Sequence, residues 1–358
     1  MGIVSSAEGI STNELQLALR NSGMPLEALR WPLTPLGLHY LLIHYDVPTV
    51  DVDAWRLELA GRLARPALLS LEELKERETV TVAVTMECAG NGRAGMTPRP
   101  LSQPWIGEAV GTAAWTGTPL APLLREAGVS GNAVEVLFAG FDCGIEGGVT
   151  QTYERSLPMS EALSGDAILA WGIGNVALPP QHGFPLRLVV PGWYGMANVK
   201  WLQRITVLDA PFHGYQQVQG YRIRKNADEP GEPVTRILPR ALMVPPGIPD
   251  FMTRRRFVAP GRHRLEGRAW SGWGEVSRVQ VSVTGGARWD DAELGDAVGR
   301  HAWRGWSYSW VAAEPGDYQL ACRAWDNAGN FQPLEPEWNL GGYGNNAVQR
   351  IAVTVTPS

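Results

Sequence analysis

Thr79-Val80-Thr81-Val82-Ala83-Val84-Thr85-Met86-Glu87-Cys88-Ala89-Gly90-Asn91-Gly92-Arg93 is an alternating strand that runs into a glycine-containing loop and carries a cysteine at the junction. Val80, Val82 and Val84 share one face with Met86, so the strand is anchored in a core and its end is held still. A thiol at such an end can meet a ligand. The glycines let backbone N–H groups approach a bound group, and Arg93 adds a planar positive fork just beyond. The competing reading of a lone cysteine is a small buried hydrophobe on a strand end.

The chain of 358 residues is 44% hydrophobic, enough for a large core and long enough for two domains. A net charge of −5 without Lys/Arg clusters argues against nucleic acid as a partner. No apolar run reaches the roughly eighteen residues of a membrane span. The start, Met1 to Ile10, has no basic leader, long apolar stretch or twin arginine, so cytoplasm is the expected compartment. Met1-Gly2 with Ser6 meets a loose myristoylation pattern of the kind that recurs by chance. Cys88, Cys143 and Cys322 lie far apart and form no disulfide framework or CxxC pair. Tryptophan is abundant, with 15 residues, and most are expected to wedge between sheets.

Ser11 with Glu14 and Ser70 with Glu73 read as capping boxes, predicting helices from there through Leu19 and over Leu71–Glu76. Strands are expected at Trp55–Gly61, Val134–Phe138, Leu186–Val190 and Ile205–Leu208, with a helix from Leu120 to Ala127. The mixture lacks a strict βαβ period, which predicts an irregular α+β first domain. Asn226–Ile248, rich in proline, glycine and charge, reads as a linker. Beyond it, His263–Trp270, Val276–Val283, Ser307–Val311, Tyr318–Trp325 and Val348–Val355 are short alternating strands that predict an all-β immunoglobulin-like sandwich. The expected division is 1–235 and 236–358. Cys322 faces the same way as Leu320 and reads as packing.

Further blocks follow the cysteine loop: Trp105-Ile106-Gly107 with Ala114-Trp115-Thr116-Gly117-Thr118-Pro119-Leu120, then His182-Gly183-Phe184-Pro185-Leu186-Arg187 leading to Asn198-Val199-Lys200-Trp201. Near the end come Arg323-Ala324-Trp325-Asp326-Asn327-Ala328-Gly329-Asn330 and Trp338-Asn339-Leu340-Gly341-Gly342-Tyr343. With the cysteine loop, these blocks resemble the sulfite oxidase family in order and along nearly the whole chain. The resemblance implies a molybdopterin molybdenum cofactor with Cys88 as the protein's metal ligand, a fit to a soft thiolate donor. It implies cofactor contacts from His44, Asp142, His182, Arg187 and Lys200. It implies Tyr221 beside the reacting oxygen, with Tyr215 as the competing choice, Trp105 as a pocket wall, and Arg93 and Arg350 facing a substrate anion. It also implies a homodimer through the second domain.

One position departs from the family pattern. Sulfite-oxidising members carry an arginine two residues before the histidine of this segment, and Leu42 stands there in Leu42-Ile43-His44-Tyr45-Asp46-Val47-Pro48. Losing a charge-assisted partner to a small anion costs about 1.5–3 kcal/mol. A less charged or larger sulfur compound then fits at least as well as sulfite. The activity implied is oxygen-atom transfer at molybdenum; no haem-attachment motif is present, so the electron acceptor is expected to be a separate molecule such as a cytochrome. The alternatives are a reductase of an oxyanion or sulfoxide at the same centre, and a non-enzymatic assembly module with a vestigial cofactor domain.

Overall fold

The computed structural model describes residues 9–357, and the Met1–Ser6 myristoylation pattern lies outside them. Helix α1 (Thr12–Arg20) starts on a complete capping box from Ser11 and Glu14, and α2 (Leu71–Lys75) starts on the same device from Ser70 and Glu73. Helix α3 (Leu120–Ala127) buries Leu120, Leu123, Leu124 and Ala127, the spacing of one helical face, and stops at Gly128 in the left-handed region. Two single turns, α4 (Met159–Ala162) and α5 (Tyr215–Val218), follow. The expected α+β first domain is thus corrected to a mostly β one. Its apolar positions alternate, and period-two burial is satisfied by sheets rather than by long helices.

Two large sheets build the first part, beside a short ribbon that pairs Arg222–Ile223 with Glu232–Pro233. One runs Ala67–Leu69, Leu57–Gly61, Leu202–Leu208, Glu135–Glu146, Val149–Pro158; the other runs Val80–Glu87, Val110–Pro119, Ile168–Ile173, Val176–Ala177, with Arg187–Val189 also paired to Ile168–Ile173. The cysteine strand is therefore an edge of the second sheet, and its final residues Val84 to Glu87 are all buried. Beyond residue 239 a four-stranded sheet (Arg240–Met243, Gly261–Trp270, Arg304–Ala312, Glu293–Ala297) faces a six-stranded one containing Val276–Ser282, Gly316–Asp326 and Gln349–Val355. Their inner faces share one core that includes Leu265, Val279, Trp306, Trp310, Leu320 and Cys322.

The segment read as a linker does not behave as one throughout. Val234, Ile237, Leu242 and Val244 are buried in the core of the first part, together with Trp270 and Trp303 from the sandwich. Prolines punctuate the segment without keeping it out of the interior, because Arg240–Met243 still pairs with Gly267–Trp270 as an edge strand. The two parts are stitched together: Thr85 donates its backbone N–H to the His301 carbonyl at 2.9 Å, and the Trp303 indole donates to the Pro32 carbonyl at 2.7 Å. Among the described residues no helix is long and apolar enough to cross a membrane.

Candidate active site

Cys88 leaves its strand where the backbone is tied on both sides. Its N–H donates to Ala109 O at 2.9 Å, and its carbonyl accepts from the Asn91 N–H at 3.0 Å. Asn91 closes the loop, its amide donating to Glu87 Oε1 at 2.9 Å and its Oδ1 accepting from the Ala109 N–H at 3.1 Å. Glu87 is fully buried; Trp270 Nε1 donates to it at 2.8 Å and Arg240 Nε lies 2.8 Å from it. Gly92 has φ +86, a conformation glycine adopts without strain, and a Cβ on Gly90 would fall 2.6 Å from the Arg93 guanidinium. The loop is built to hold Cys88 and Arg93 in fixed relation. Burial pushes the Cys88 thiol up from its ordinary pKa, against the pull of the Arg93 charge, the Gly90 amide and the Trp105 indole. A soft metal ion would deprotonate it.

Cys88 opens on an inner cavity walled also by His39, Tyr40, Leu42, His44, Asp142, Tyr153, His182, Arg187, Asn198, Lys200 and Tyr221. All five residues expected to touch a cofactor are thus brought together. Arg187 donates to His182 O at 3.0 Å and Asn198 O at 3.2 Å, with its guanidinium 4.6 Å from the Trp115 ring centre. Lys200 Nζ donates to Leu42 O at 2.8 Å and Gln181 O at 3.1 Å. Burial pushes Lys200 down to about 7 and Arg187 down to about 10, and pushes the Asp142 carboxyl up to about 7. Burial likewise holds His39 at about 4 and His44 and His182 at about 3, so all three imidazoles are neutral at physiological pH.

The walls leave polar valences open. Among the described residues, His39 Nε2, Asp142 Oδ1 and Arg187 Nε are buried without hydrogen-bond partners. Each such group costs about 1–3 kcal/mol unless a ligand satisfies it. A ligand rich in donors and acceptors, with an anionic tail for Arg187 and Lys200, matches this wall, as a pterin phosphate does. Among the described residues no group of three His, Cys, Asp or Glu could hold a metal ion. Cys88 is a soft donor on this wall, and a single thiolate suits a metal that arrives already chelated. The residues present fit a molybdopterin.

An outer cavity of about 300 Å³ shares Leu42, His44, Cys88 and Tyr221 with the inner one and adds Arg93, Trp105, Tyr343, Asn21, Gln103, Gln216 and Glu146. Arg93 is fixed there, donating to Gly341 O at 3.0 Å and Gln103 O at 3.1 Å with its guanidinium 5.3 Å from the Tyr343 ring centre. Tyr221 meets both cavities and its hydroxyl is hydrogen-bonded to His44 Nε2, whereas Tyr215 lines a separate surface hollow. Arg350 requires correction. It lies on a sandwich strand and pairs with Glu335 at 2.7 Å, away from both cavities, because its side-chain direction follows the sandwich sheet rather than the loop before it. His39, Tyr40, Tyr153 and Tyr343 also wall the site. Only Tyr343 carried a signal, as the end of a quoted block, while the others sit in stretches that read as ordinary loop or strand.

A family model described as the oxidoreductase molybdopterin binding domain matches residues 44–216, and one described as the Mo-co oxidoreductase dimerisation domain matches residues 252–356. The chain is 33% identical over 344 residues to mitochondrial sulfite oxidase of Rattus norvegicus, covering 91% of this chain and 62% of that protein. It is 31% identical over 351 residues to nitrate reductase [NADH] 1 of Arabidopsis thaliana, covering 90% of this chain and 38% of that protein. The chain thus spans less than two thirds of these relatives. The crystal structure of the sulfane dehydrogenase SoxCD from Paracoccus pantotrophus superposes with a TM-score of 0.80 at 23% identity, covering 100% of this chain and 95% of that one, which establishes a common fold.

Proposed function

The chain belongs to the sulfite oxidase family of molybdopterin-binding oxidoreductases, and from that premise we propose that it oxidises a sulfur compound larger or less charged than sulfite, passing electrons to a separate acceptor such as a cytochrome. The observation that carries this reading is Leu42. It lies on the wall shared by both cavities, where Arg93 is the cationic side chain of the outer one among the described residues. A doubly charged anion entering there meets one arginine and the Glu146 carboxylate rather than a cluster of cations.

When bound, the cofactor would supply exchange of an oxygen atom and two electrons with the substrate. The chain's own residues do the rest. Cys88 holds the metal through its thiolate; Arg187, Lys200, His182 and Asp142 hold the pterin and its phosphate. Arg93 grips the anionic end of the substrate with a planar fork. The Tyr221 hydroxyl, oriented by neutral His44, donates a hydrogen bond where negative charge develops. Trp105 and Leu42 keep the approach partly dry.

Relatives named as nitrate reductases keep a second direction in play, reduction of an oxyanion or sulfoxide by the same residues. The domain division near 235/236, an immunoglobulin-like second domain and a homodimer through it complete the proposal, the last supported by the dimerisation-domain match. Steady-state assays with sulfite, thiosulfate, a sulfoxide and nitrate, on protein from a molybdopterin-producing host, test the reading. Oxidation of a larger sulfur compound with a higher kcat/KM than sulfite is expected; efficient turnover of micromolar sulfite or preferential nitrate reduction would contradict it.

A further inference from the structure

Arg155 lies on the strand Val149–Pro158 two residues after Tyr153, so both side chains leave the same face of the sheet. It is only 3% exposed. Among the described residues no carboxylate comes within ion-pair distance of it, and its Nε has no hydrogen-bond partner. Its Nη1 donates to the Gln216 carbonyl of α5, and its guanidinium stands 5.6 Å from the centre of the Tyr221 ring. An uncompensated buried cation is costly by several kcal/mol, so a counter-charge is expected nearby. Around it stand Tyr153, Tyr221 and Tyr343, whose phenols burial holds above their ordinary pKa and so neutral, while the Glu135 carboxylate acts on the cation only from beyond ion-pair distance.

Tyr221 is itself held in an unusual state. Its φ is +49, an uncommon backbone conformation for an aromatic residue, kept in place by the Val234 N–H donating to its carbonyl at 2.9 Å. One face of its ring neighbours Tyr343 at 5.2 Å, and its hydroxyl meets both cavities beside His44. Arg155 thus holds the carbonyl of Gln216 in α5, a few residues before Tyr221, and at the same time lies against the Tyr221 ring. A cation at such a ring is attracted to it, and in a water-poor interior its charge reaches further than in solvent.

We propose that Arg155 is a positioning residue that supplies, through Tyr221, part of the positive charge that Leu42 withholds. It fixes the Tyr221 ring and favours negative charge beside its hydroxyl, so that an oxyanion in the outer cavity is bound between Tyr221 and Arg93. The inference rests on the cofactor reading of the site. It assigns the site to a substrate with one anionic oxygen-bearing end, recognised by one direct arginine and one arginine acting through a tyrosine.

The test uses the holoenzyme, with molybdenum content measured on every preparation and inorganic sulfate as the anion probe in calorimetry. Arg155→Met should weaken sulfate binding about tenfold, the order of the Tyr221–anion hydrogen bond that it positions. Arg155→Lys should recover most of it. In a Tyr221→Phe background, Arg155→Met should cost less than about threefold, because its route to the anion is already gone. Should Arg155→Met fail to accumulate, Arg155→Gln carries the same expectation. Unchanged sulfate binding in an uncharged variant that retains molybdenum would overturn the inference alone, as would an equal loss in both backgrounds. A wild-type preparation without molybdenum would overturn the reading beneath it.

Discussion

Leu42 and Glu14 give the sharpest consequences of single side chains. Leu42 walls both cavities and its carbonyl accepts from Lys200, so an arginine at this position would start from a backbone already fixed. Leu42→Arg is expected to raise kcat/KM for sulfite about tenfold, mainly by lowering KM, the worth of one charge-assisted contact. Steady-state kinetics on wild type and variant check it. Glu14 is buried, and the Arg99 guanidinium bonded to it holds its carboxyl down at about 2 from 4.5. A carboxylate whose folded pKa is depressed contributes stability above its unfolded pKa and loses it as pH falls toward the folded value. Glu14→Gln should therefore cost about 1–3 kcal/mol near neutral pH, with the gap from wild type closing as pH drops below about 4. Thermal melts across that range measure it.

Among the elements, the cysteine loop depends on a neighbour from the other part of the chain. Glu87 ends the strand Val80–Glu87, and Arg240 begins the strand Arg240–Met243. Arg240→Met would leave the Glu87 carboxylate buried beside Trp270 and Asn91 without its cation, a loss of about 3–5 kcal/mol. A lowered melting temperature together with reduced molybdenum retention is expected; an unchanged melt would refute the coupling. Much of the element map was legible because it rests on local rules. The two capping boxes, the α3 face and the alternating sandwich strands were readable from spacing alone. Asn226–Ile248 reads as a linker on its proline density, which says nothing about burial, and Val234 and Ile237 within it are core residues. Arg350 was misplaced for a related reason: sequence order does not reveal which way a strand's side chain leaves its sheet. Arg155 was invisible, since its importance comes from Tyr221, distant in sequence and close in space.

In the whole molecule, the sandwich packs onto the core of the first part through Trp270 and Trp303 and leaves other apolar surface bare. Phe251 is 83% and Met252 81% exposed, at the start of the stretch matched to a dimerisation domain. Sedimentation at micromolar concentration is expected to show a dimer, and Phe251→Glu to shift it toward monomer. Wild-type monomer alone would contradict the proposed assembly. In the proposed site, Cys88 binds molybdenum carried by a pterin held between His182, Arg187 and Lys200. X-ray absorption at the molybdenum edge, on wild type and Cys88→Ser from a molybdopterin-producing host, tests it most directly. About one molybdenum per chain, with one sulfur neighbour fewer in the variant, is the predicted result. An identical sulfur shell in both proteins, or wild-type protein that carries no molybdenum, would contradict it.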